Sequence, residues 1–311
     1  MTITPDAAAS NSTLCPMCQH QGIELLTDGV KDFEYLSPGT YAWVRCTRCE
    51  LVRVNPIPDA EQLTLAYPPH YHSYQEPESA ITRWLMSLSL NAQSRQFCSY
   101  LSDGDAVQEI GCSTGVLLEA IGQRGNYELN GVEYQAASAA IAQSKGLSVQ
   151  CGSFEDCSIP SDHFNLIIMQ HVLEHVTEPR LTLEKCVAAL QSGGHLVGEL
   201  PNYDCWDAAL FGRYWGGGHA PRHIWHFTPD SLSAALNAAG FTDIQIRPSL
   251  HTGHWACSFQ NYFRRNRSDS TGLKNGRAWY YPLFLLATIP INMLQMLFKK
   301  TGIIQFECTK P

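Results

Sequence analysis

The spacing of apolar and polar residues predicts strands and helices in alternation through the centre of the chain. Apolar residues at helical intervals predict a helix over residues 81–101. The stretch "DAVQEIGCSTGVLLEAIGQRG", residues 105–125, then indicates a short buried strand, a turn of small residues and a helix. A second strand is indicated by "ELNGVEY", residues 128–134. This order is typical of an α/β fold with a parallel sheet.

The same reading places the last elements of the sheet. A helix is predicted for "PDSLSAALNAAG", residues 229–240, with Thr228 as its N-cap and Gly240 as its C-terminal signal. Strands are predicted for "FTDIQIRPS", residues 241–249, and for "GIIQFECTK", residues 302–310. An insertion of about 50 residues therefore separates the last two strands.

Two cysteine pairs near the N terminus predict a metal site. Cys15 and Cys18 form one C-x2-C motif, Cys46 and Cys49 form another, and the alternating segment "TYAWVRC" before the second pair is typical of a β-hairpin. Four thiolates complete a tetrahedral shell, so the spacing predicts a structural Zn²⁺ in a zinc ribbon. Two unrelated redox pairs are the alternative.

Composition narrows the classes of partner. The chain has 311 residues, 44% of them hydrophobic, and a net charge of −8, which disfavours a nucleic acid as partner. Residues 1–13 lack the basic and apolar regions of a secretory signal, so we expect a cytoplasmic protein. Thiols stay reduced in that compartment, which favours metal ligands over disulfides for cysteine clusters.

The turn of small residues after the first predicted strand of the sheet fits the motifs of more than one class of enzyme. Residues 111–115, "GCSTG", match the G-x-S-x-G elbow of α/β-hydrolases, but no strands precede them to build a hydrolase sheet. The G-x-G-x-x-G fingerprint of dinucleotide-binding domains is absent. Glu133 ends the second strand, where a carboxylate is placed to accept hydrogen bonds from a ribose diol.

The segment "VQEIGCSTG" resembles the first motif of class I S-adenosylmethionine-dependent methyltransferases, with Ser113 in place of the middle glycine. The stretches "NGVEY", "CGSFEDCSIPSDHFNLIIMQHVLEHV" and "LQSGGHLVGELPN" resemble that family's second to fifth strands in order. "QHVLEHV" is similar to the motif after the fourth strand in methyltransferases related to ubiquinone-biosynthesis O-methyltransferases, the methyltransferase-23-like group. The resemblance covers about residues 104–247.

The resemblance implies a Rossmann-like seven-stranded methyltransferase sheet of α/β class behind a small zinc ribbon, with S-adenosylmethionine as the cofactor. Together with the cysteine pairs, this predicts a flexible tail over 1–13, a ribbon over 14–57, a linker and helix over 58–100, and a methyltransferase domain over 101–311 with insertions at 201–228 and 248–300. The cofactor residues that it implies are Glu109, Gly111, Cys112, Gly115, Glu133, Tyr134, Ser153, Phe154, Gln170 and His171.

The stretch after the fifth predicted strand, "DCWDAALFGRYWGGGHAPRHIWHFTP", is the predicted acceptor side, because ligands bind beyond the carboxyl ends of strands in open α/β sheets. A histidine suits the base that removes an acceptor proton, and His219 and His223 are the leading candidates, with His171 and His175 next. Predicted substrate contacts are Arg222, for an anionic group, and Tyr203 and His226. A metal held by His219, His223 and His226 is the alternative, which Pro221 and the absence of a carboxylate from residues 216–229 disfavour.

The insertion contains an uncharged apolar stretch, residues 278–298, flanked by basic residues and by aromatic residues at one end. A single membrane crossing conflicts with the return of the chain to its last strand. A substrate lid, a membrane-surface contact, a dimer contact and core packing stay open.

Three functional hypotheses follow. The first is a methyltransferase acting on a small-molecule acceptor at O, N or C, of glycan, lipid-linked or secondary-metabolite type. The second is an RNA methyltransferase, which the negative charge disfavours. The third is a scaffold that keeps the cofactor fold without catalysis.

Overall fold

A computed structural model of the protein describes residues 14–68, 80–267 and 269–311. The predicted tail over 1–13 and part of the predicted linker lie outside the described residues.

The strands are β1 Ile23–Val30, β2 Tyr41–Cys46, β3 Val52–Asn55, β4 Ala106–Ile110, β5 Glu128–Glu133, β6 Ser148–Cys151, β7 Phe164–Gln170, β8 Leu190–Pro201, β9 Trp225–His226, β10 Thr242–Ser249, β11 Leu273–Lys274, β12 Arg277–Ala278 and β13 Ile303–Thr309. The helices are α1 Ala60–Ala66, α2 Ala80–Cys98, α3 Val116–Gly122, α4 Ala136–Ser144, α5 Pro179–Ala189, α6 Trp206–Phe211, α7 Pro229–Ala239, α8 Gly253–Arg264, α9 Tyr281–Ala287 and α10 Ile289–Phe298.

The chain forms two compact units. The sheet unit comprises Ser73–Leu200, Leu232–Arg247 and Ile304–Pro311, and the ribbon unit comprises Met1–His72, Pro201–Ser231 and Pro248–Ile303. The ribbon unit therefore combines the predicted zinc ribbon with both predicted insertions. The division read from the sequence stays a prediction, and it differs from these units because contacts between distant segments, not chain order, define a compact unit.

The sheet unit contains a seven-stranded sheet in the order β10-β13-β8-β7-β4-β5-β6. Strands β4, β5, β6, β7 and β8 pair in parallel. At the edge of this parallel part the direction reverses, since the Gly193 amide donates to the Lys310 carbonyl at 2.8 Å and the Lys310 amide to the Gly194 carbonyl at 2.9 Å. The order reverses next to β4, which makes the carboxyl end of β4 the topological switch point where ligands bind in such sheets.

The predicted elements of this sheet are confirmed with small changes at their ends. The helix predicted over 81–101 is α2, and the predicted strand, turn and helix of residues 105–125 are β4 and α3. The helix predicted over 229–240 is α7, and the Thr228 hydroxyl accepts a hydrogen bond from the Ser231 amide at 3.1 Å, as an N-cap does.

The ribbon unit is built on a second sheet, in the order β1-β2-β3-β9. Strand β9 comes from the predicted acceptor segment and pairs antiparallel with β3, placing His226 opposite Val52 and Trp225 opposite Arg53. A buried aromatic core that includes Trp43 and Trp215 lies on this sheet. The acceptor segment thus contributes strand β9 to the ribbon sheet. No local sequence pattern predicts that β9 pairs with β3.

The insertion of residues 248–303 folds within the ribbon unit as α8, a two-stranded hairpin and the helices α9 and α10. Within the described part of the chain, no single helix has the length and apolar character to cross a membrane. The pair Tyr281–Ala287 and Ile289–Phe298 reaches the required length and composition only when taken together, and it is bent by 47°.

Candidate cofactor and acceptor sites

Three residues in the turn between β4 and α3 have left-handed backbone conformations. Gly111, Ser113 and Gly115 have φ values of 73°, 49° and 76°. A Cβ at Gly115 would lie 2.3 Å from Leu147 Cδ1, so this position also lacks the room for a side chain. Serine adopts the left-handed conformation at position 113, which is why the turn persists without the middle glycine of the family motif.

Two acidic side chains flank this turn. Glu133 is buried at the carboxyl end of β5, where its carboxylate accepts hydrogen bonds from the Ser113 amide at 2.8 Å and the Gln135 amide at 2.7 Å. Each carboxylate oxygen keeps a further acceptor position for a ligand hydroxyl. Glu109 is buried in β4, and burial together with the charge of Glu133 raises its pKa to about 8. Its Oε2 has no hydrogen-bond partner among the described residues.

The remaining predicted cofactor residues divide into exposed and buried groups. Tyr134 is exposed, so its ring is accessible to a flat ligand beside Glu133, whereas Cys112 and Phe154 are buried in the core. Burial raises the pKa of the Cys112 thiol to about 12, which leaves it a neutral packing group. The backbone amide of Cys112 donates to the Val132 carbonyl at 3.1 Å and so joins the turn to β5.

The sequence reading missed an acidic group beside Ser153. The Ser153 hydroxyl donates a hydrogen bond to Asp156 Oδ2 at 2.7 Å, and the Asp156 amide donates back to the hydroxyl at 3.2 Å. Asp156, three residues further along the chain, therefore places a carboxylate beside the predicted cofactor residue Ser153.

His171, directly after Gln170 at the end of β7, lies between two carboxylates. Its Nδ1 is 3.2 Å from Glu174 Oε1, and its Nε2 is 3.2 Å from Glu199 Oε1. Burial disfavours the imidazolium, but the hydrogen bonds and charges of the two glutamates outweigh it and raise the pKa of His171 to about 10. A ring that stays protonated at neutral pH can supply a fixed positive charge, but it is poorly suited to accept a proton.

The acceptor segment carries a histidine paired with a carboxylate from the ribbon. His219 Nδ1 bonds to Glu34 Oε1, a contact between residues 185 positions apart. Burial opposes ionisation of Glu34, but the charge and hydrogen bond of His219 and the charges of Arg222 and Arg277 hold its pKa well below the usual value. His219 lines a small, solvent-open cleft together with Lys31, Asp32 and Arg213.

Arg222 is fully buried and ion-paired with Asp32, at 2.8 Å from Nη1 to Oδ2. Its guanidinium also lies 5.0 Å from the centre of the Tyr35 ring. Asp32 in turn accepts hydrogen bonds from the Glu34 amide at 3.0 Å and the Ser37 hydroxyl at 2.7 Å, which order the loop after β1. This placement favours a structural role for Arg222 over the predicted contact with an anionic substrate.

The other predicted residues of the acceptor segment are also enclosed. His223 is buried, and its Nδ1 donates to the Gly217 carbonyl at 2.8 Å, while its ring lies 4.7 Å from that of His219. His226 is fully buried and lies among aromatic rings, with centre-to-centre distances of 5.2 Å to Trp43, 5.8 Å to Tyr203 and 5.6 Å to Trp215. These positions give Tyr203 and His226 a packing role, and they make His219 the predicted histidine that reaches a cleft.

Two of the groups of possible metal ligands among the described residues lie wholly within the ribbon unit. The Sγ atoms of Cys15, Cys18, Cys46 and Cys49 all lie within 4.8 Å of one another. The distances from Cys15 to Cys49 and from Cys18 to Cys46 are 3.6 Å, close to the roughly 3.8 Å expected between thiolates that are tetrahedrally bound to zinc at about 2.3 Å.

Two equivalent turns present these thiols. Gln19 and Glu50 both have left-handed backbone, and their amides donate to the carbonyls of Cys15 and Cys46 at 2.8 and 3.0 Å. A second cluster, Glu34, His219 and Cys257, also has its ligand atoms within 4.8 Å of one another. The guanidinium of Arg222 lies 3.5 Å from Glu34, and a cation next to this cluster would be repelled.

Comparison with known proteins agrees with this architecture. Residues 79–246, just over half of the chain, match the model of a family described as a methyltransferase domain. Ubiquinone biosynthesis O-methyltransferase of Bradyrhizobium sp. (strain ORS 278) is 30% identical over 140 residues, which are 41% of this chain and 54% of that protein. The protein of the same name from Idiomarina loihiensis is 26% identical over 156 residues, 46% of this chain and 64% of that protein. The chain thus spans about half the length of the curated relatives that it matches.

Among solved structures, geranyl diphosphate C-methyltransferase from Streptomyces coelicolor A3(2) aligns with a TM-score of 0.52 at 13% identity, over 79% of this chain and 94% of that chain. At this identity the likeness concerns the fold alone, and it confirms the predicted Rossmann-like class. The family match, the seven-stranded sheet and the glycine turn between two acidic residues lead to one conclusion: the chain belongs to the methyltransferase-domain family.

Proposed function

We propose that the protein transfers a methyl group from S-adenosylmethionine to a small-molecule acceptor at an oxygen, nitrogen or carbon atom. The observation that carries this proposal is the turn after β4, which has left-handed backbone at Gly111 and Gly115 and a carboxylate on either side. The turn lies at the switch point of the parallel sheet, where ligands of this class of fold bind.

The residues of the turn fit this cofactor. The Glu133 carboxylate is fixed by two backbone amides and can accept hydrogen bonds from the ribose hydroxyls. Glu109 offers a buried oxygen without a partner among the described residues, on the side proposed for the amino acid part of the cofactor. When bound, S-adenosylmethionine supplies an electrophilic methyl group.

We assign the base that removes the acceptor proton to His219. The Glu34 carboxylate contacts Nδ1 and orders the ring, which leaves Nε2 as the atom that we propose faces the acceptor proton. His171 is disfavoured by its raised pKa, and His223 is disfavoured by its burial. The ribbon thus supplies the positioning residue of the proposed base.

Structural Zn²⁺ belongs to the same proposal. The four thiols match the donor type and the spacing of a closed tetrahedral site. Because β3 of the ribbon also pairs with β9, loss of zinc is expected to loosen the segment that carries His219. The acceptor is expected to be of glycan, lipid-linked or secondary-metabolite type.

Cofactor binding is tested by titration calorimetry with S-adenosylhomocysteine. We expect saturable binding by the wild type and a loss of about tenfold or more in Glu133→Ala, since that variant removes a charged hydrogen-bond acceptor. Glu128→Ala, an exposed glutamate at the opposite end of the same strand, is the matched control and should bind normally. Absence of binding by the zinc-loaded wild type would overturn the proposal.

The base is tested by methyl-transfer assays on candidate acceptors, followed by mass spectrometry. His219→Ala should lower kcat by about a hundredfold or more without changing affinity for S-adenosylhomocysteine. Glu34→Gln should lower kcat less, because the amide can still contact the ring but no longer supplies the carboxylate that orders it. Full turnover by both variants would rule out this base, while turnover by the wild type would still exclude a scaffold without catalysis.

A further inference from the structure

The helices α9 and α10 present an apolar surface that no described part of the chain covers. On α10 the exposed positions are Ile289, Pro290, Met293, Leu294, Leu297 and Phe298. This spacing places them on one face of the helix. Leu297 has 79% of its surface exposed, Leu286 on α9 has 68%, and Trp279 just before α9 has 80%. We call this surface, residues 279–298, the apolar hairpin face.

The polar positions of the same helices point the other way. Thr288, Asn292 and Gln295 are buried. Gln295 bridges the interior, since its Oε1 accepts from Trp255 Nε1 at 2.9 Å and its Nε2 donates to Asp207 Oδ1 at 3.0 Å. A helix on the surface of a water-soluble domain has the opposite arrangement, with its polar side in solvent. Because its apolar side chains face outward and its polar side chains face inward, the outer side of α10 is suited to an apolar environment.

Charge around the hairpin indicates which apolar environment this is. Residues 251–306 contain seven basic residues and one acidic residue, Asp269, in a chain whose net charge is −8. The basic residues are Arg264, Arg265, Arg267, Lys274, Arg277, Lys299 and Lys300. Arg264 is buried and Lys300 is paired with Asp204 at 2.5 Å, whereas Arg265, Arg267, Lys274 and Lys299 are exposed. The exposed positive charges are attracted to an anionic surface.

Exposed basic residues lie at both ends of the apolar hairpin face. Lys299 is exposed directly after Phe298, at the end of α10. At the other end, the Arg265 guanidinium lies 4.3 Å from the centre of the Tyr262 ring, and the neighbouring Phe263 ring lies 5.8 Å from that of Phe284 in α9. Apolar and aromatic side chains with a rim of lysine and arginine are the features of a helix that lies in a membrane interface.

We propose that the apolar hairpin face docks the protein on anionic lipid bilayers, lying in the plane of the headgroups without crossing. The bend of 47° between the helices fits this placement, because neither helix alone is long enough to span. Membrane docking concerns the ribbon unit and is independent of the proposed methyl transfer. It would bring the protein to acceptors that are dissolved in the bilayer.

The test is flotation of the full-length, zinc-loaded protein with vesicles of phosphatidylcholine, with or without about 30% of the anionic lipid phosphatidylglycerol. We expect binding to the anionic vesicles that weakens at high salt. The double variant Leu286→Glu/Leu297→Glu should lose about tenfold affinity or more. Leu25→Glu changes an equally exposed leucine on β1 and should bind like the wild type.

A second variant keeps the proposal testable if the double variant misfolds. Arg265→Glu/Lys299→Glu leaves the apolar side chains in place and should remove the preference for anionic vesicles. Failure of the wild type to bind either vesicle overturns the proposal, as does equal binding by the wild type and both double variants. A wild-type dimer that dissociates when Leu286 and Leu297 are replaced, without vesicle binding, would instead assign the face to a second copy of the chain.

Discussion

The buried imidazole of His226 should make the ribbon unit sensitive to mild acid. The ring is fully buried against aromatic side chains, and neither ring nitrogen has a hydrogen-bond partner among the described residues. Burial, assisted by the charge of His219, lowers the pKa of His226 to about 3. The perturbation we consider is His226→Phe, which keeps an aromatic ring in the cluster and removes the titrating group.

The sign and size of the effect follow from proton linkage. An unfolded histidine takes up a proton near pH 6.5, whereas the folded ring stays neutral down to about pH 3. The stability that this difference contributes is complete above pH 6.5 and is lost as the pH falls towards 3. Each pH unit in this window costs about 1.4 kcal/mol, so lowering the pH from 6.5 to 5 should cost the wild type about 2 kcal/mol through this residue.

The assay is urea unfolding followed by tryptophan fluorescence, which reports on the ribbon unit because Trp43 and Trp215 contact His226. Unfolding free energies are measured at pH 7.5, 6.0 and 5.0 for the wild type and for His226→Phe. Other titrating groups are common to both proteins and cancel in the difference. We expect the wild type to lose about 2 kcal/mol more than the variant between pH 7.5 and 5.0. Parallel pH dependence of the two proteins would refute this reasoning.

Other predictions concern the metal site and the sheet. Cys15→Ser should lower bound zinc from one ion per chain to well below one and lower the unfolding temperature of the ribbon unit, measured by metal analysis and scanning calorimetry, whereas Cys98→Ser should change neither. Gly198→Ala would place a Cβ 2.2 Å from the Met169 carbonyl oxygen, so it should cost about 1–3 kcal/mol of unfolding free energy in urea titrations, and an unchanged midpoint would contradict that geometry. Raising the pH through 10 should remove the stabilisation that the protonated His171 ring gains from its glutamates, seen as a fall in unfolding temperature that His171→Gln does not share.

Much of the sheet unit could be read from the sequence because its signals are local. The turn of residues 111–115 requires left-handed backbone within five residues, and the strands on either side are short apolar runs. In a parallel sheet the carboxyl ends of neighbouring strands meet at one edge, so Glu133 and Gln170 could be placed near the turn from the strand order. The cysteine pairs were equally readable, since two C-x2-C turns need only a hairpin to bring them together.

The acceptor segment shows where this reasoning ends. The sequence placed three histidines close together, but their spacing could not reveal which one is exposed to a cleft and which is enclosed by aromatic rings. Glu34 and Asp32 are 185 and 190 residues from the partners that they bind, His219 and Arg222, and nothing in the ribbon sequence marks them as a pair for that segment. Burial and ion pairing at such separations depend on the folded chain as a whole.

The sequence by itself therefore determined the class of fold, the left-handed turn after β4 and the grouping of the four cysteines, because each depends on periodicity or spacing within one or two neighbouring elements. Only the tertiary structure decided that the acceptor segment joins the ribbon through β9, that a ribbon carboxylate orders His219, and that α10 turns its polar side inward. These outcomes depend on which surfaces from distant parts of the chain bury one another. The local sequence around a hydrophobic or charged residue does not identify the residue that it will contact in the folded protein.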